Sequence, residues 1–310
     1  MSLRAIVLGA AAGGGFPQWN SAGPGCVRAR AGDPAAKPRS QASLAVSADG
    51  ERWAVLNASP DLRQQIAATP ALHPRPARGL RDSPIAAVAL TGAEVDTIAG
   101  LLVMRERQAF ALYAGAATLA ALEANPIFTV LDRTLVPRRE MALGVPVAVA
   151  DAAGVPLGVT IEAFAVPGKV ALFQEAEGRD PGRADAGETV GLAVAAGGAA
   201  LLFVPGCAAM TPALAARIAQ ADTVLFDGTL WRDDEMIRAG VGTKTGARMG
   251  HMSLDGPEGT LAAFRDIPVR RRILIHINNT NPVLLEDSQE RAAVARAGWE
   301  VAEDGMEITL

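Results

Sequence analysis

The chain has 310 residues, of which 50% are hydrophobic and only 4% aromatic, and its formal net charge at pH 7 is −4. This length predicts one large domain or two smaller ones, and the high apolar content with a small net charge excludes disorder for most of the chain. The near-neutral balance lacks the electrostatic footprint of a nucleic-acid-binding protein, so no nucleic acid is expected as a partner.

No uncharged apolar stretch reaches the roughly 18 residues that a membrane span needs, so no membrane span is expected. The apolar run at the start of the chain is too short for a signal peptide and is typical of a first strand. Two cysteines, Cys26 and Cys207, are too few for a disulfide framework. These features together predict a soluble protein of the reducing cytoplasm.

In the first half of the chain, strand patterns alternate with turns and helices. Asp49-Gly50 between two apolar runs is a strong hairpin signal. Ser59 before Pro60 predicts a helix whose N-cap is Ser59 and whose first residue is Pro60. The predicted elements are strands at 3–9, 43–47 and 53–58, a helix at 60–67, a strand at 84–91, a helix at 97–107, a strand at 111–113 and a helix at 116–123.

The second half repeats this order of elements. Gly197-Gly198 predicts a second hairpin, and Thr211 before Pro212 predicts a capped helix. The predicted elements are a strand at 155–166, an exposed loop at 180–188, strands at 190–195 and 199–204, a helix at 211–221, a strand at 223–226, a helix at 254–264, a strand at 272–277, a helix at 286–298 and a strand at 299–309.

Hairpins followed by strand–helix units, twice over, predict the fold class. It is α/β (α+β), an αββα sandwich of two mixed β-sheets with helices on the outside. The sequence has no internal repeat at fixed spacing and no low-complexity linker. A single domain over residues 1–310 is therefore the simpler prediction.

Loops at strand ends are where chemistry usually sits, and the glycine-rich loop at 9–19 is the first candidate. Its glycines do not match Gly-x-Gly-x-x-Gly, and Phe16-Pro17 is a poor entry into a helix. Close packing of the backbone explains this loop better than a dinucleotide site.

Acidic residues mark two further loops. Glu94 and Asp96 leave a predicted strand and enter a helix, where they are either site residues or charges that complement the helix dipole. Asp227 directly follows a strand and precedes Gly228, which suits either metal ligation or a turn.

Two of the three histidines, His251 and His276, open the remaining candidate loops. His276 lies near the end of a predicted buried strand and precedes a run of amide side chains. A histidine at a strand end is either a structural group or a site residue, and the sequence alone leaves both interpretations open.

Segment 91–101 resembles the Thr-His-x-His-x-Asp-His-x-x-Gly-Leu motif of the metallo-β-lactamase fold. Within that superfamily, the chain more closely resembles the coenzyme PQQ synthesis protein B (PqqB) family. The shared segments are Ala-Ala-Gly-Gly-Gly-Phe-Pro-Gln-Trp-Asn at 11–20, Asp-Gly-Thr at 227–229, Met-Gly-His-Met-Ser at 249–253 and His-Ile-Asn-Asn-Thr-Asn-Pro at 276–282. The resemblance implies a metallo-β-lactamase-like sandwich and a role in making pyrroloquinoline quinone (PQQ) from a ribosomal peptide whose Glu and Tyr become cross-linked.

The chain departs from the family at its metal motif, which usually reads Thr-Asp-Ala-x-x-Asp-His. Gly92 replaces the first aspartate and Thr97 replaces the histidine, whereas Asp96 remains. Fe(II) oxygenases typically present three protein ligands, so the loss of two donors predicts a weakly held ion. The ion implied by the resemblance is Fe(II), or Zn in its place.

The resemblance also suggests roles for the remaining donors. Asp96 and His276 are the expected metal ligands. His251 is either an acid/base group or a third ligand, and Asp227 orients a ligand.

A second departure concerns zinc. The family often has Asn-Cys-x-Cys-x-x-Cys after the tryptophan, where this chain keeps only Cys26. One thiolate cannot hold a structural zinc ion, so structural zinc is predicted to be absent.

Two functions follow from the resemblance. The first is iron-dependent hydroxylation of the tyrosine of the peptide-derived precursor. The alternative is a non-catalytic carrier with a degenerate metal site, which transports PQQ or its precursor towards the periplasm. Two-zinc hydrolysis ranks last because it needs more His and Asp donors. Expected partners are the Glu–Tyr precursor or PQQ, other PQQ-pathway proteins and, in a homodimer, a second copy of the chain.

Overall fold

The computed structural model describes residues 2–169 and 189–310, so the predicted loop at 180–188 lies outside the described residues. Fourteen strands in the described residues form two seven-stranded sheets, with the orders β14-β1-β2-β3-β4-β5-β6 and β13-β12-β11-β10-β9-β8-β7. Strands β1 to β14 are Arg4–Gly9, Ser43–Ser47, Trp53–Leu56, Ile85–Ala89, Ala111–Ala114, Arg138–Glu140, Val147–Ala150, Pro156–Ala165, Val190–Ala196, Ala199–Val204, Thr223–Asp227, Arg271–Ile275, Glu300–Val301 and Glu307–Thr309.

Short helices connect these strands. Helices α1 to α9 are Pro24–Arg30, Leu62–Ala68, Val95–Ile98, Ala116–Ala124, Pro212–Ile218, Glu235–Arg238, Gly246–Met249, Thr260–Ala263 and Gln289–Arg296. Five 3₁₀ segments in the described residues, Pro70–Leu72, Pro76–Arg78, Ala99–Met104, Pro126–Val130 and Pro282–Leu284, complete the connections. Among the described residues, every helix falls short of the length and apolarity that crossing a bilayer requires.

Alternation of side chains along the strands decides which layer each residue joins. On β1, Ala5 and Val7 belong to the core between the two sheets, whereas Ile6 packs with the helices outside the first sheet. On β11, Leu225 belongs to the core between the sheets and Phe226 packs with the helices outside the second sheet. Because successive strand residues point to opposite faces, each sheet has two buried faces. The predicted αββα sandwich is confirmed.

Both sheets are mixed, as predicted. In the first sheet β1 and β2 are antiparallel and β3 and β4 are parallel; in the second, β8 and β9 are antiparallel and β10 and β11 are parallel. The two predicted hairpins are confirmed as the antiparallel pairs β2–β3 and β9–β10. The predicted cap of α5 is also confirmed, since the Thr211 hydroxyl accepts a bond from the Leu214 N–H.

Three predicted helices are wrong in their bounds. The first concerns α2, which begins at Leu62 instead of Pro60, because the buried Ser59 hydroxyl donates to the Gln65 side chain. The second concerns segment 97–107, where α3 ends at Ile98 and a 3₁₀ segment follows. The third concerns segment 254–264, where only α8 is helical, since Gly256 has a φ of 97° and turns the chain before it.

The last predicted strand, 299–309, is two strands in different sheets. Strand β13 pairs with β12 in the second sheet, and β14 pairs with β1 in the first. The chain turns between them at Gly305, whose φ of 85° is in the left-handed region that favours glycine. Asp304-Gly305 is a turn signal of the same kind as Asp49-Gly50, and the prediction of a single strand overlooked it.

Candidate metal centre

Parallel pairing places two site residues at one edge of the second sheet. Asp227 is the last residue of β11, and His276 directly follows β12, its parallel neighbour. His276 has a φ of 58°, and its carbonyl oxygen lies 2.9 Å from the Thr229 hydroxyl oxygen. The turn at His276 therefore depends on the segment that follows the neighbouring strand.

The other two residues come from the connections between strands. Asp96 lies in α3, after β4 of the first sheet, and His251 follows α7. Asp96, His251 and His276 line a cavity of about 470 Å³, which Gly13 and Gly14 of the glycine-rich loop also line. Asp227 is fully buried behind this cavity and contacts His251. The structure thus brings together the four side chains that the sequence proposed, from both sheets.

Asp96 and His276 form a direct pair, with 3.0 Å between Oδ2 and Nε2. Burial opposes the charged form of each group, but their mutual hydrogen bond and charges outweigh it. The pKa of Asp96 is therefore lower than its usual value, and the pKa of His276 is higher than its usual value. Both pKa shifts favour the charged pair in the metal-free site.

Asp227 is fully buried, and both of its oxygens are engaged. Oδ1 accepts from the Thr229 N–H at 3.0 Å and from the Thr229 hydroxyl at 2.6 Å. Oδ2 accepts from the Cys207 N–H at 2.9 Å and contacts Nδ1 of His251 at 2.8 Å. A carboxylate has about four lone-pair sites, so these four contacts use its acceptor capacity. The carboxylate holds the imidazole of His251 in place.

The two imidazoles stack, with their ring centroids 5.2 Å apart and their planes 19° apart. Nδ1 of His251 and Nδ1 of His276 lie 3.1 and 2.9 Å from the Thr229 hydroxyl oxygen. Nearly parallel rings that turn Nδ1 towards the same atom present Nε2 on a common side. Ligand atoms of Asp227, His251 and His276 all lie within 4.8 Å of one another.

The donor set fits a metal ion. Asp96 and His276 lie at a hydrogen-bond distance of 3.0 Å, and the three residues in the described part of the chain whose ligand atoms all lie within 4.8 Å of one another are Asp227, His251 and His276. Asp96 and His276 form, with His251, a set of two imidazoles and one carboxylate, which is typical of non-haem Fe(II) sites.

Gly92 and Thr97 both line the cavity, at the positions where the family motif carries an aspartate and a histidine. Glycine offers no ligand atom, and the threonine hydroxyl is a poor neutral one. The first sheet thus contributes Asp96 to the site but not the two further donors of the motif.

Neither cysteine lies in a position to act as a nucleophile. Burial, together with the nearby Asp227 carboxylate, raises the pKa of the Cys207 thiol to about 12, so it stays protonated at neutral pH. Cys26 is buried, and its sulfur lies 3.6 Å from the Asn279 side-chain oxygen.

Sequence reasoning gave no role to Thr229, although its hydroxyl contacts Asp227, His251 and His276. It belongs to the Asp-Gly-Thr segment, so the motif was a signal for it. Sequence reasoning also missed the pair of Asn57 and Thr91, whose side chains bond at 2.9 Å in the cavity wall.

Comparison with known proteins identifies the family. The model of the beta-lactamase superfamily domain matches residues 52–277. The chain is 62% identical to the coenzyme PQQ synthesis protein B of Gluconacetobacter diazotrophicus, over 98% of both chains, and 54% identical to that of a Methylobacterium species, over 99% of this chain and 100% of the relative. The chain belongs to the coenzyme PQQ synthesis protein B family. It is therefore a protein of PQQ synthesis with a metallo-β-lactamase fold.

Solved structures agree with this PqqB assignment. The crystal structure of Zn²⁺-bound PqqB from Methylobacterium extorquens matches with a TM-score of 0.94 and 52% identity, over 99% of this chain and 100% of that one. A diphosphatase of the PhnP family matches with a TM-score of 0.68 over 100% of this chain and 98% of that one, but at 18% identity, so it shows the shared fold alone.

Proposed function

We propose that this PqqB hydroxylates the tyrosine ring of the peptide-derived Glu–Tyr precursor, with Fe(II) held by Asp96, His251 and His276. The observation that carries the proposal is the convergence of two imidazoles and one carboxylate on a single cavity. This donor set leaves coordination positions open for O₂ and substrate. The Zn²⁺-bound relative supports a metal in this family, and zinc in place of iron is expected to give an inactive protein.

The residues of the chain have separate tasks in this proposal. Asp96 and the Nε2 atoms of His251 and His276 hold the ion, and Asp227 fixes the His251 ring through Nδ1. When bound, Fe(II) supplies the one-electron chemistry through which O₂ reacts with an aromatic ring. The cavity wall orients the ring of the substrate and limits access of water.

The reaction needs a reductant. One oxygen atom of O₂ replaces a ring hydrogen, and the other leaves as water with two electrons and two protons. The structure offers no redox-active thiol, because Cys207 is buried and protonated. The electrons therefore come from an external two-electron donor such as ascorbate.

Turnover tests the proposal directly. Metal-free protein is loaded with Fe(II) without oxygen, then mixed with ascorbate, oxygen and a tyrosine-containing peptide or dihydroxyphenylalanine. We expect oxygen consumption and a product heavier by one oxygen atom. The His276→Ala protein should be inactive, and Asp234→Asn, which alters an exposed pair with Arg238, should be fully active. Oxygen consumption no higher than without protein would exclude the hydroxylase.

A carrier is the second candidate, and the absence of donor side chains at Gly92 and Thr97 favours it. It predicts binding of PQQ or its precursor without metal. Metal analysis after purification without chelators separates the candidates: about one ion per chain supports the hydroxylase, and none supports a carrier with a degenerate site.

Three further proposals concern the whole chain. Residues 1–310 form one domain, the protein acts in the cytoplasm, and it forms a homodimer that meets other PQQ-pathway proteins. A single cooperative unfolding transition, cell fractionation and sedimentation of the purified protein test these proposals in turn.

A further inference from the structure

Thr229 follows β11 and lies in the middle of the candidate metal site. Its hydroxyl oxygen lies within 3.1 Å of four polar atoms in the described residues, namely Oδ1 of Asp227, Nδ1 of His251, Nδ1 of His276 and the carbonyl oxygen of His276. A hydroxyl has one hydrogen to donate and two lone pairs to accept with. The hydroxyl can therefore donate its hydrogen in only one of these four contacts.

The shortest contact determines where the hydroxyl hydrogen goes. Oδ1 of Asp227 lies at 2.6 Å, and two oxygen atoms approach that closely only with a hydrogen between them. Asp227 already accepts from two backbone N–H groups, as an ionised carboxylate does. The Thr229 hydroxyl therefore donates to Asp227.

The direction of this hydrogen bond decides which nitrogen of the His276 imidazole carries a hydrogen. Nδ1 of His276 lies 2.9 Å from an oxygen whose only hydrogen points elsewhere, so Nδ1 must carry a hydrogen and donate it. The ring then directs Nε2 towards Asp96, 3.0 Å away. For His251, Nδ1 has the Asp227 carboxylate at 2.8 Å as its acceptor, which leaves Nε2 as the nitrogen available to an ion in the cavity that His251 lines.

We infer that Thr229 is a positioning residue that keeps the hydrogen of His276 on Nδ1, so that Nε2 is the nitrogen that binds the metal ion. The inference rests on the proposed metal centre but not on the hydroxylation reaction. It assigns a function to the threonine of the Asp-Gly-Thr segment: the Asp227 carboxylate orders His251 directly and orders His276 through the Thr229 hydroxyl.

Three variants of the full-length protein test the inference. Thr229→Val removes the hydroxyl at nearly constant volume, and Thr229→Ser keeps it. Thr223→Val is the matched control, because Thr223 is a fully buried residue of β11, the strand before Thr229, and its hydroxyl has no hydrogen-bond partner in the described residues. Thermal unfolding of each variant reports whether the fold is kept.

Zinc affinity is the first measurement, by competition with a chromophoric chelator. Loss of an outer partner of a metal-binding histidine typically weakens metal binding by about 10–100-fold. We expect that loss for Thr229→Val, and affinities within about threefold of wild type for Thr229→Ser and Thr223→Val. Wild-type affinity in a folded Thr229→Val protein would overturn the inference.

The second measurement is the ¹⁵N NMR spectrum of the imidazoles in zinc-loaded protein, which does not depend on turnover. We expect His276 to show a protected Nδ1–H and a zinc-bound Nε2 in wild type and Thr229→Ser, with the Nδ1–H exchanging rapidly in Thr229→Val. Coordination through Nδ1, or a hydrogen on Nε2, would refute the inference even if the protein hydroxylates its substrate. Conversely, a correct spectrum with no turnover would leave Thr229 in its role and exclude only the hydroxylase.

Discussion

Nε2 of His276 lies 3.0 Å from Oδ2 of Asp96, although the two residues are 180 positions apart in the chain and come from different sheets. Each side chain is mostly buried, with 15% of His276 and 22% of Asp96 exposed. Such a pair is typical of a functional site, because burial of two ionisable groups costs stability unless they bind each other or a ligand.

Asp96→Asn should weaken zinc binding by about 10–100-fold, because the amide keeps the shape of the carboxylate but loses its charge. Isothermal titration of metal-free protein measures the effect. Glu94→Gln is the control on the same loop, since it removes a nearby negative charge, which pairs with Lys169 at 3.5 Å, and leaves the hydrogen bond between Asp96 and His276 in place. Equal losses in the two variants would show that only the general charge of the loop matters.

Asp227→Asn should destabilise the fold by about 1–3 kcal/mol, because one buried atom that accepts two hydrogen bonds becomes an amide nitrogen that cannot. Urea unfolding of the metal-free protein measures this change. Asp234→Asn, which removes an exposed pair with Arg238, should change stability by less than about 0.5 kcal/mol. An unchanged midpoint for Asp227→Asn would contradict the hydrogen-bond network described above.

The metal-free protein should lose stability relative to His276→Gln as the pH rises above 6.5. The folded pKa of His276 is higher than its ordinary value of 6.5, because the Asp96 bond and charge outweigh the opposing effect of burial. A raised pKa gives stability that is fully present below 6.5 and is lost as the pH rises through the folded pKa. Denaturant titrations of both proteins across this range measure the difference in the free energy of unfolding. If wild type instead gained stability relative to His276→Gln as the pH rises, the predicted direction of the pKa shift would be wrong.

The opposite pH trend is expected for metal affinity, because the ion replaces the hydrogen on Nε2 of His276. Zinc should therefore bind more tightly as the pH rises through the same pKa. The two titrations together separate protonation of the site from general unfolding.

Gly92→Asp together with Thr97→His should raise zinc affinity at least about tenfold, since the double variant adds two donors to the cavity wall. Thr97 is only 7% exposed, so the larger histidine is expected to cost about 1–3 kcal/mol of stability. Metal content and affinity are measured beside each single variant. Turnover that appears only in the double variant would show that the natural site is degenerate. Unchanged zinc affinity in the double variant would show that the two positions do not face the ion.

The sequence by itself determined the layers of this protein. Alternation of apolar residues predicted most strands, and the Asp49-Gly50 and Gly197-Gly198 turns predicted both hairpins, because these signals depend on neighbouring residues alone. The prediction of one strand over residues 299–309 failed although Asp304-Gly305 is such a turn signal. The chain passes there from the second sheet to the first, a change that depends on strand pairing and not on neighbouring residues.

Only the tertiary structure decided how the site residues meet. The sequence named Asp96, Asp227, His251 and His276 as candidates, but a strand-end position does not fix a distance or a hydrogen-bond partner. Pairing of β11 with β12 and packing of the two sheets bring the four side chains together, and the Thr229 hydroxyl joins Asp227 to both imidazoles. These relationships depend on contacts between residues far apart in the chain, which local sequence patterns do not encode.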